Sequence, residues 1–232
     1  MVAQGGAIKR SLVSDQVFRN LSEAILTGRY EPGEKLPTQR TLAAELGVNM
    51  ASIREAVKRL EQLRLVEVRH GDAMRVRDWR SHGGLDVVAH LLFRTGGLDR
   101  QTLASLLEAR RLMLAESARL AAERRSGEQA QRLIELAERL GREQDAEAAQ
   151  ALDFAFMTEL VEASGNVVFV LILNSIRALY FDHAELFRGV VAERGELAPL
   201  YRRAAAAIEA GAGARSAGAV AKLAALQEEG LR

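Results

Sequence analysis

One stretch of sequence, from Pro32 to Val76, constrains the fold more than any other part of the chain. It reads PGEKLPTQRTLAAELGVNMASIREAVKRLEQLRLVEVRHGDAMRV. In its first part Thr38 is placed to cap a helix, and Leu42 and Leu46 form an apolar stripe that stops at Gly47. The stretch therefore begins with a short helix that a glycine ends.

A second helical pattern and an alternating segment follow. The pattern begins near Asn49 and has apolar residues at helical spacing, namely Ile53, Val57, Leu60 and Leu63. Ser52 and Arg54 are expected near an exposed amino-terminal end that can enter a major groove. Apolar and basic residues then alternate on both sides of the sequence HGDA at 70–73, which is typical of a β-hairpin. Together these patterns predict a winged helix-turn-helix with a β-hairpin wing.

Composition excludes several classes of protein. The chain has no cysteine, which excludes disulfides and thiolate catalysis and suits a reducing cytoplasm. No apolar run approaches about 20 residues, so no membrane span is expected. No nucleophile-base pair or phosphate loop is visible, so an enzyme is not expected.

Residues 1–80 hold 14 Lys/Arg and 10 Asp/Glu, against 18 and 21 in the remainder, so the positive surplus lies with the predicted DNA-binding part.

The chain is expected to be mainly α, with two domains. The predicted division is a flexible arm at 1–12, a winged helix-turn-helix of three helices at 13–78, a linker at 79–84 and an all-helical domain at 85–232. The last domain is expected to be an antiparallel bundle of six or seven helices. Their approximate ranges are 85–94, 99–124, 127–142, 146–163, 167–189, 196–210 and 216–229.

These motifs resemble a known family. The run PGEKLPTQRTLAAELGV, followed by SIREAVKRLEQLRLVEVRHGDAMRV, resembles the amino-terminal domain of the GntR superfamily of bacterial transcription regulators. In the second domain LDFAFMTELVEASGN and LILNSIRALY are similar to the FadR branch, above all to its regulator of fatty-acid metabolism. The resemblance spans about residues 15–230. It implies a cytoplasmic homodimer that binds double-stranded DNA at a palindromic operator under the control of a small-molecule effector.

The resemblance also implies the DNA contacts. Arg40, Arg54 and the wing tip at His70 and Gly71 would meet DNA, since Arg can grip phosphate or pair with guanine and a narrow wing can reach the minor groove. At 49–52 this chain has NMAS, where the fatty-acid regulator has polar and basic residues. A different operator is therefore expected, with Met50 or Ala51 against a thymine methyl. The predicted DNA-binding residues are Arg40, Asn49, Met50, Ser52, Arg54, His70 and Gly71.

Many members of the branch bind a divalent metal through one Asp and three His. Asp153 stands at the position of that Asp, but Met157 stands where the next His is expected. Tyr201 and Leu223 occupy the matching positions in the last two helices. The four histidines, at 70, 82, 90 and 183, do not have ligand spacing. Neither a metal nor another cofactor is expected.

An organic effector is the other interpretation of the bundle. The fatty-acid regulator lacks this metal site and binds long-chain acyl-CoA between helices. An Arg among apolar and aromatic side chains suits an anionic ligand with an aliphatic part, such as acyl-CoA or another organic acid. By the resemblance, the effector-binding residues are Arg110, Asp153, Met157, Ile176, Tyr180, Phe187, Tyr201 and Leu223.

Alternatives to this interpretation stay open. The apolar members of that set are also explained as plain core, since bundles bury such stripes without any ligand. Arg110 is also explained by a salt bridge to Asp153 or Glu108. The whole chain could instead be a metal-dependent member of the branch, or an architectural DNA-binding dimer without an effector.

Overall fold

The computed structural model describes the backbone of residues 5–68, 74–94 and 97–231, and side chains from residue 13 onward. The chain divides into two compact units, Met1–Thr102 and Leu103–Arg232. The predicted linker at 79–84 is therefore not the boundary. Val87 is buried in the core of the first unit, and Trp79 and Leu91 pack against that core.

The first unit begins with three helices and a two-stranded hairpin. The elements are α1 (Gly5–Leu26), α2 (Gln39–Leu46), α3 (Met50–Gln62), β1 (Val66–Glu67) and β2 (Arg75–Val76). Because α1 starts at Gly5, the predicted flexible arm is wrong over residues 5–12, while residues 1–4 lie outside the described part. The mainly α fold with a small sheet is confirmed.

The core of this unit joins α1 to α3. Phe18 of α1 and Ile53 and Leu60 of α3 belong to one buried cluster, each at most 2% exposed. Full burial of a side chain of this size stabilises the folded state by about 1.5–3 kcal/mol relative to exposure. The cluster fixes the orientation of α3 and so determines which of its faces stays in solvent.

The wing is an antiparallel pair with a third segment beside it. Val66 pairs with Val76 across β1 and β2. Lys35 forms an isolated bridge with Arg75, and the Gly33 N–H donates to the Val76 carbonyl oxygen at 2.8 Å. The predicted hairpin is confirmed at its base, and its tip at 69–73 lies outside the described residues.

The rest of the first unit corrects the prediction of a helix at 85–94. The elements are α4 (Trp79–His82), a 3-10 turn (Leu85–Val87), α5 (Val88–Leu92), β3 (Phe93–Arg94) and β4 (Gly97–Leu98). The helix stops at Leu92 because Phe93 is extended, with φ −112° and ψ 97°, and pairs with Leu98.

The second unit is helical, as predicted. Its elements are α6 (Arg100–Arg124, beginning in the first unit), α7 (Gly127–Arg142), α8 (Ala146–Ala163), α9 (Val167–Asp182), α10 (Ala184–Phe187), a 3-10 turn (Arg188–Val191), α11 (Arg194–Glu209) and α12 (Gly213–Glu229). Polar caps set several starts: Ser126 and Gln129 form a capping box on α7, and Asn166 accepts from the Val168 N–H at 3.0 Å.

One predicted helix of this unit is broken. The pattern at 167–189 indicated a single helix, but α9 ends at Asp182 and the chain turns by 102° into the segment 184–191. His183 lies at the break with φ −120° and ψ 37°, outside the helical region. No single helix among the described residues has the length and apolar content to cross a membrane, and only the bent pair that meets at His183 passes that test jointly.

Candidate DNA-binding helix and bundle cavity

The turn between α2 and α3 is built by its capping residues. The Thr38 hydroxyl accepts from the Thr41 N–H at 3.1 Å and begins α2. Gly47 ends that helix in the left-handed region, with φ 62°, where a side chain would be strained. These contacts fix the short connection that presents α3.

The start of α3 gives Asn49 a further role and differs from the prediction at Ser52. Asn49 is exposed, but its Oδ1 accepts from the Ser52 N–H at 2.9 Å and so caps the helix. Ser52 is only 2% exposed, and its Oγ has no hydrogen-bond partner among the described residues. A buried hydroxyl cannot reach a base edge, so the prediction that Ser52 contacts DNA is wrong.

Glu61 and Gln62 are exposed at the carboxyl end of α3, and the exposed face before them consists of Ala51, Arg54, Glu55 and Lys58. These four residues follow helical spacing, and Arg54 Nε donates weakly to the Met50 carbonyl oxygen at 3.4 Å. Glu55 and Lys58 were not predicted to contact DNA. They lie one helical turn after Ala51 and Arg54, and this spacing places them on the same face.

The remaining predicted DNA contacts are placed as follows. Arg40 is exposed in the first turn of α2, and Met50 is half-buried. His70 and Gly71 lie outside the described residues. At the base of the wing, Arg75 Nη1 donates to the Gly33 carbonyl oxygen at 3.3 Å.

Not every basic residue of α3 faces solvent. Arg59 forms an ion pair with Asp15, and its guanidinium lies 4.0 Å from the centre of the Phe18 ring. His90 meets the same ring edge-on, with centroids 5.2 Å apart. Burial, and then the positive charge of Arg59, lower the pKa of His90. Arg59 therefore anchors α3 to α1 and is not available for DNA.

The second unit contains a cavity of about 40 Å³ among α6, α8, α9 and α10. Six of the eight predicted effector-binding residues line it: Arg110, Asp153, Met157, Ile176, Tyr180 and Phe187. Tyr201 and Leu223 do not line it, and both belong to the buried core cluster of the unit. Leu231, close to the carboxyl end, is a lining residue that the sequence reasoning missed.

Asp153 is the centre of a buried hydrogen-bond network. It is 1% exposed, and its Oδ1 accepts from the Tyr201 hydroxyl and from Gln227 Nε2, the latter at 2.8 Å. Its Oδ2 accepts from the Tyr180 hydroxyl at 3.2 Å. The carboxylate is thus stabilised by neutral donors from three other helices.

Arg110 joins this network through Gln227. Its Nη2 donates to Gln227 Oε1 at 2.6 Å, so one amide links the guanidinium to Asp153. Within the described residues Arg110 pairs with neither Asp153 nor Glu108, and the salt bridge considered from sequence is replaced by this bridge. Sequence reasoning missed Gln227, whose signal is its helical spacing after the buried Val220, Leu223 and Ala224.

Both tyrosines of the network keep their protons at neutral pH. Burial first, and then the negative charge of Asp153, raise the pKa of Tyr180 and that of Tyr201. Each hydroxyl is therefore a donor to Asp153.

The residues at Asp153 do not fit a divalent metal. Both carboxylate oxygens already accept hydrogen bonds, and Met157, one turn further on, lines the cavity with an apolar chain. In the part of the chain that the structure describes, no three side chains of His, Cys, Asp or Glu come together.

Comparison with known proteins agrees with this architecture. The family described as "Bacterial regulatory proteins, gntR family" matches residues 13–76, and the FCD domain matches residues 105–226. The HTH-type transcriptional regulator Mce2R of Mycobacterium tuberculosis is 42% identical over 75% of this chain and 72% of its own length. The Fatty acid metabolism regulator protein of Yersinia pestis is 31% identical over 68% of this chain and 65% of its own length.

A solved structure has a similar fold. The Lar protein, whose structure is titled "Lar controls the expression of the Listeria monocytogenes agr system and mediates virulence", superimposes with a TM-score of 0.51. The match covers 93% of this chain and 96% of Lar at 19% identity, so it supports the fold alone.

Proposed function

Because this chain belongs to the GntR family of bacterial transcription regulators and carries an FCD domain, we propose that it binds a palindromic operator as a homodimer. We propose further that a small anionic organic effector enters the cavity of the second unit and changes that binding. The observation that carries the proposal is the placement of Arg110 in an otherwise mostly apolar cavity, joined by Gln227 to the core.

The DNA part rests on the exposed face of α3. Arg54 and Lys58 supply positive charge one turn apart, and Arg54 is able to pair with guanine while Lys58 suits a phosphate. Asn49 acts first as the helix cap, which holds that face in place. A single recognition helix reads few base pairs, so selective binding needs two winged helix-turn-helix domains on two half-sites.

The ligand part rests on the chemistry of the cavity. A guanidinium has five N–H donors, and the bond to Gln227 uses one of them. A ligand carboxylate or phosphate can take others, while Met157 and Ile176 offer apolar contact to an aliphatic part. The name of the Yersinia relative, a regulator of fatty acid metabolism, favours an acyl-CoA or another fatty-acid derivative.

The cavity volume limits how such a ligand binds. About 40 Å³ accommodates a water-sized group, whereas ligand pockets for larger organic molecules usually measure about 300–1,000 Å³. An acyl chain therefore has to displace part of the wall that Ile176, Tyr180 and Phe187 form. Such a displacement would move α9 and α10 and give the bound and free states different shapes.

Ligand binding is tested with purified full chain and a series of acyl-CoAs, free fatty acids and short organic acids of increasing length. A binding ligand raises the Tm, and Arg110→Met should reduce that rise by removing the cation. Arg203→Met, on an exposed part of α11, is the matched control and should respond like the parent. If the two variants respond alike, Arg110 is not the anion partner.

DNA binding is tested by competitive selection from random duplexes. The expected product is a palindrome bound by two protomers, with affinity that changes when the ligand found above is added. Binding without any sequence preference would instead favour the architectural alternative.

A further inference from the structure

The outward face of α9 is unusually apolar for a surface helix. Val167, Val168, Leu171 and Phe181 are 68%, 57%, 60% and 42% exposed. They share this exposed face with smaller residues, Asn174, Ser175 and Ala178, and the exposed Arg177 lies at its edge. Large apolar side chains grouped on one exposed face mark an interaction site more often than a solvated surface.

A neighbouring helix of the same unit shows the contrast. The 16 residues of α7 include six charged ones, and its outer face is polar while its inner face is buried. The 16 residues of α9 include two charged ones, Arg177 and Asp182. The composition of α9 is that of a helix covered on two sides, although the single chain covers only one.

The exposed residues of α9 other than Arg177, whose counterpart Ile172 is half-buried, are arranged symmetrically about the midpoint between Asn174 and Ser175. Leu171 lies three and a half residues before this midpoint, and Ala178 lies three and a half residues after it. Val168 and Phe181 lie six and a half residues before and after the midpoint. A helix rotated by 180° about an axis through that midpoint would place Leu171 opposite Ala178. Such large-against-small pairs let two antiparallel helices approach closely.

The other exposed positions apart from Arg177 obey the same symmetry. Val168 of one helix would lie opposite Phe181 of the other, giving an apolar contact at each end. Asn174 would lie opposite Ser175, so two polar side chains able to hydrogen-bond meet at the axis. Asp182 would lie beside Val167, at the amino-terminal end of the opposite helix, where negative charge is favourable.

We propose that α9 is a homodimer interface, packed antiparallel against α9 of a second copy of this chain around a twofold axis between Asn174 and Ser175. A twofold interface must be self-complementary, and the pattern of α9 meets that requirement within one helix. The inference rests on the proposed function, because two DNA-binding heads require a second copy. It goes further by naming the surface that the copy covers.

The same helix borders the candidate ligand cavity from its other side. Leu173, Ile176 and Tyr180 face the cavity, while Leu171 and Ala178 face outward. A ligand that widens the cavity would therefore shift the helix that forms the interface, and effector binding would change the dimer directly.

The decisive experiment is an exchange of the large and small residues, measured by sedimentation velocity of the full chain over a range of concentrations. Leu171→Ala and Ala178→Leu should each raise the dimer Kd by about 10-fold or more, the first by loss of packing and the second by overpacking. The double variant L171A/A178L restores a Leu opposite each Ala, so its Kd should return to within about threefold of the parent.

Two further variants keep the test decisive. Leu171→Glu should raise the Kd by at least about 30-fold, the size of a strong interface residue, while circular dichroism stays helical. Leu112→Glu, at a 63% exposed leucine on α6, is the matched control and should leave the Kd unchanged. Because the chain has no cysteine, Ser175→Cys adds a single thiol that a short bismaleimide should link between protomers, whereas Leu112→Cys should not be linked.

The outcomes separate the inference from the proposed function. A dimer that tolerates Leu171→Glu and does not cross-link at position 175 would overturn this interface and leave the dimeric regulator standing. A parent chain that is monomeric at every concentration, alone and with operator DNA, would overturn both.

Discussion

The two units of the molecule differ in where their functional polar side chains lie, on the surface in the first unit and in the interior in the second. In the first unit, Arg54 and Lys58 lie on the outside of α3, and the interior is apolar apart from small buried hydroxyls such as that of Ser52. In the second unit, Asp153 and Gln227 lie inside, where donors from several helices meet one carboxylate. The first arrangement suits a large polyanion that approaches from solvent, and the second suits a small molecule that must enter the core.

In the first unit a substitution can therefore change ligand binding without changing stability, whereas in the second unit a substitution in the buried network changes both. An exposed side chain of α3 can be removed without opening the core, so its loss affects binding more than folding. Removal of a member of the buried network leaves polar partners without hydrogen bonds.

The largest effect is expected for Asp153→Ala. It leaves the Tyr180 and Tyr201 hydroxyls without their acceptor and Gln227 Nε2 with the Tyr201 hydroxyl alone, and unsatisfied buried donors cost about 1–3 kcal/mol each. The free energy of unfolding should fall by at least about 3 kcal/mol, measured by urea denaturation followed by circular dichroism. Trp79, the single tryptophan, lies in the first unit, so its fluorescence transition should move less.

The matched control for that variant is Glu108→Ala, an exposed carboxylate on α6. Its change should stay within about 0.5 kcal/mol. An Asp153→Ala protein as stable as this control would contradict the view that the network holds the bundle together.

The second effect is a loss of DNA affinity in Arg54→Ala. Removal of a base-contacting Arg costs about 1–3 kcal/mol, so the Kd for the selected operator should rise by about 10- to 100-fold. Fluorescence anisotropy measures the affinity, and urea denaturation should show nearly unchanged stability.

Ser52→Ala is the partner measurement, because Ser52 is buried two residues from Arg54. Its operator Kd should stay within about threefold of the parent. A large loss of affinity in Ser52→Ala would show that α3 is oriented differently from the structure.

The sequence predicted the position of α3 and the exposure of Arg54, because one helical period governs both. Gly47, Thr38 and the apolar stripe of Ile53 and Leu60 are local signals, and they position Arg54 without knowledge of any other element. Ser52 was assigned to the DNA surface because it is polar, yet the helical period places it beside Ile53 on the buried side. Periodicity, and not residue type, decides which side chains of α3 are buried.

The inner chemistry of the bundle was predictable only in part. Six lining residues followed from the family resemblance, but Gln227 did not, because its contacts to Asp153 and Arg110 join residues far apart in sequence. The break at His183 was missed for a similar reason, since the apolar pattern of 167–189 continues past it. Helical spacing after Val220, Leu223 and Ala224 indicates that Gln227 faces inward, but it does not indicate which side chains of other helices Gln227 meets.

A third, smaller effect concerns Asn49, which the sequence assigned to DNA and the structure places as a cap. Asn49→Ala should lower the free energy of unfolding by about 1 kcal/mol, read from Trp79 fluorescence. Asn49→Asp should restore the cap, since Asp is an equally good N-cap residue. If the Asp variant regains stability but binds operator weakly, Asn49 also lies against DNA, where an added negative charge is repelled.

The smallest effect is a pH dependence of the first unit that arises at His90. Burial, and then the positive charge of Arg59, lower the pKa of His90 in the folded chain, while the opposite charge of Asp86 raises it less. The folded state therefore binds this proton at lower pH than the unfolded state, whose value is about 6.5. The stability that neutral His90 contributes is complete above about pH 6.5 and is lost as pH falls through the folded pKa.

Urea denaturation monitored by Trp79 fluorescence at a series of pH values tests this dependence, because it follows the unit that contains His90. The unfolding free energy of the parent should decrease from about pH 7 to pH 5.5, and His90→Gln should remove that part of the slope. An equal slope in both proteins would assign the dependence to carboxylates. In that case the ring contact between Phe18 and His90 would not exclude the charged imidazole, and the core beneath α3 would be more open to water than the structure indicates.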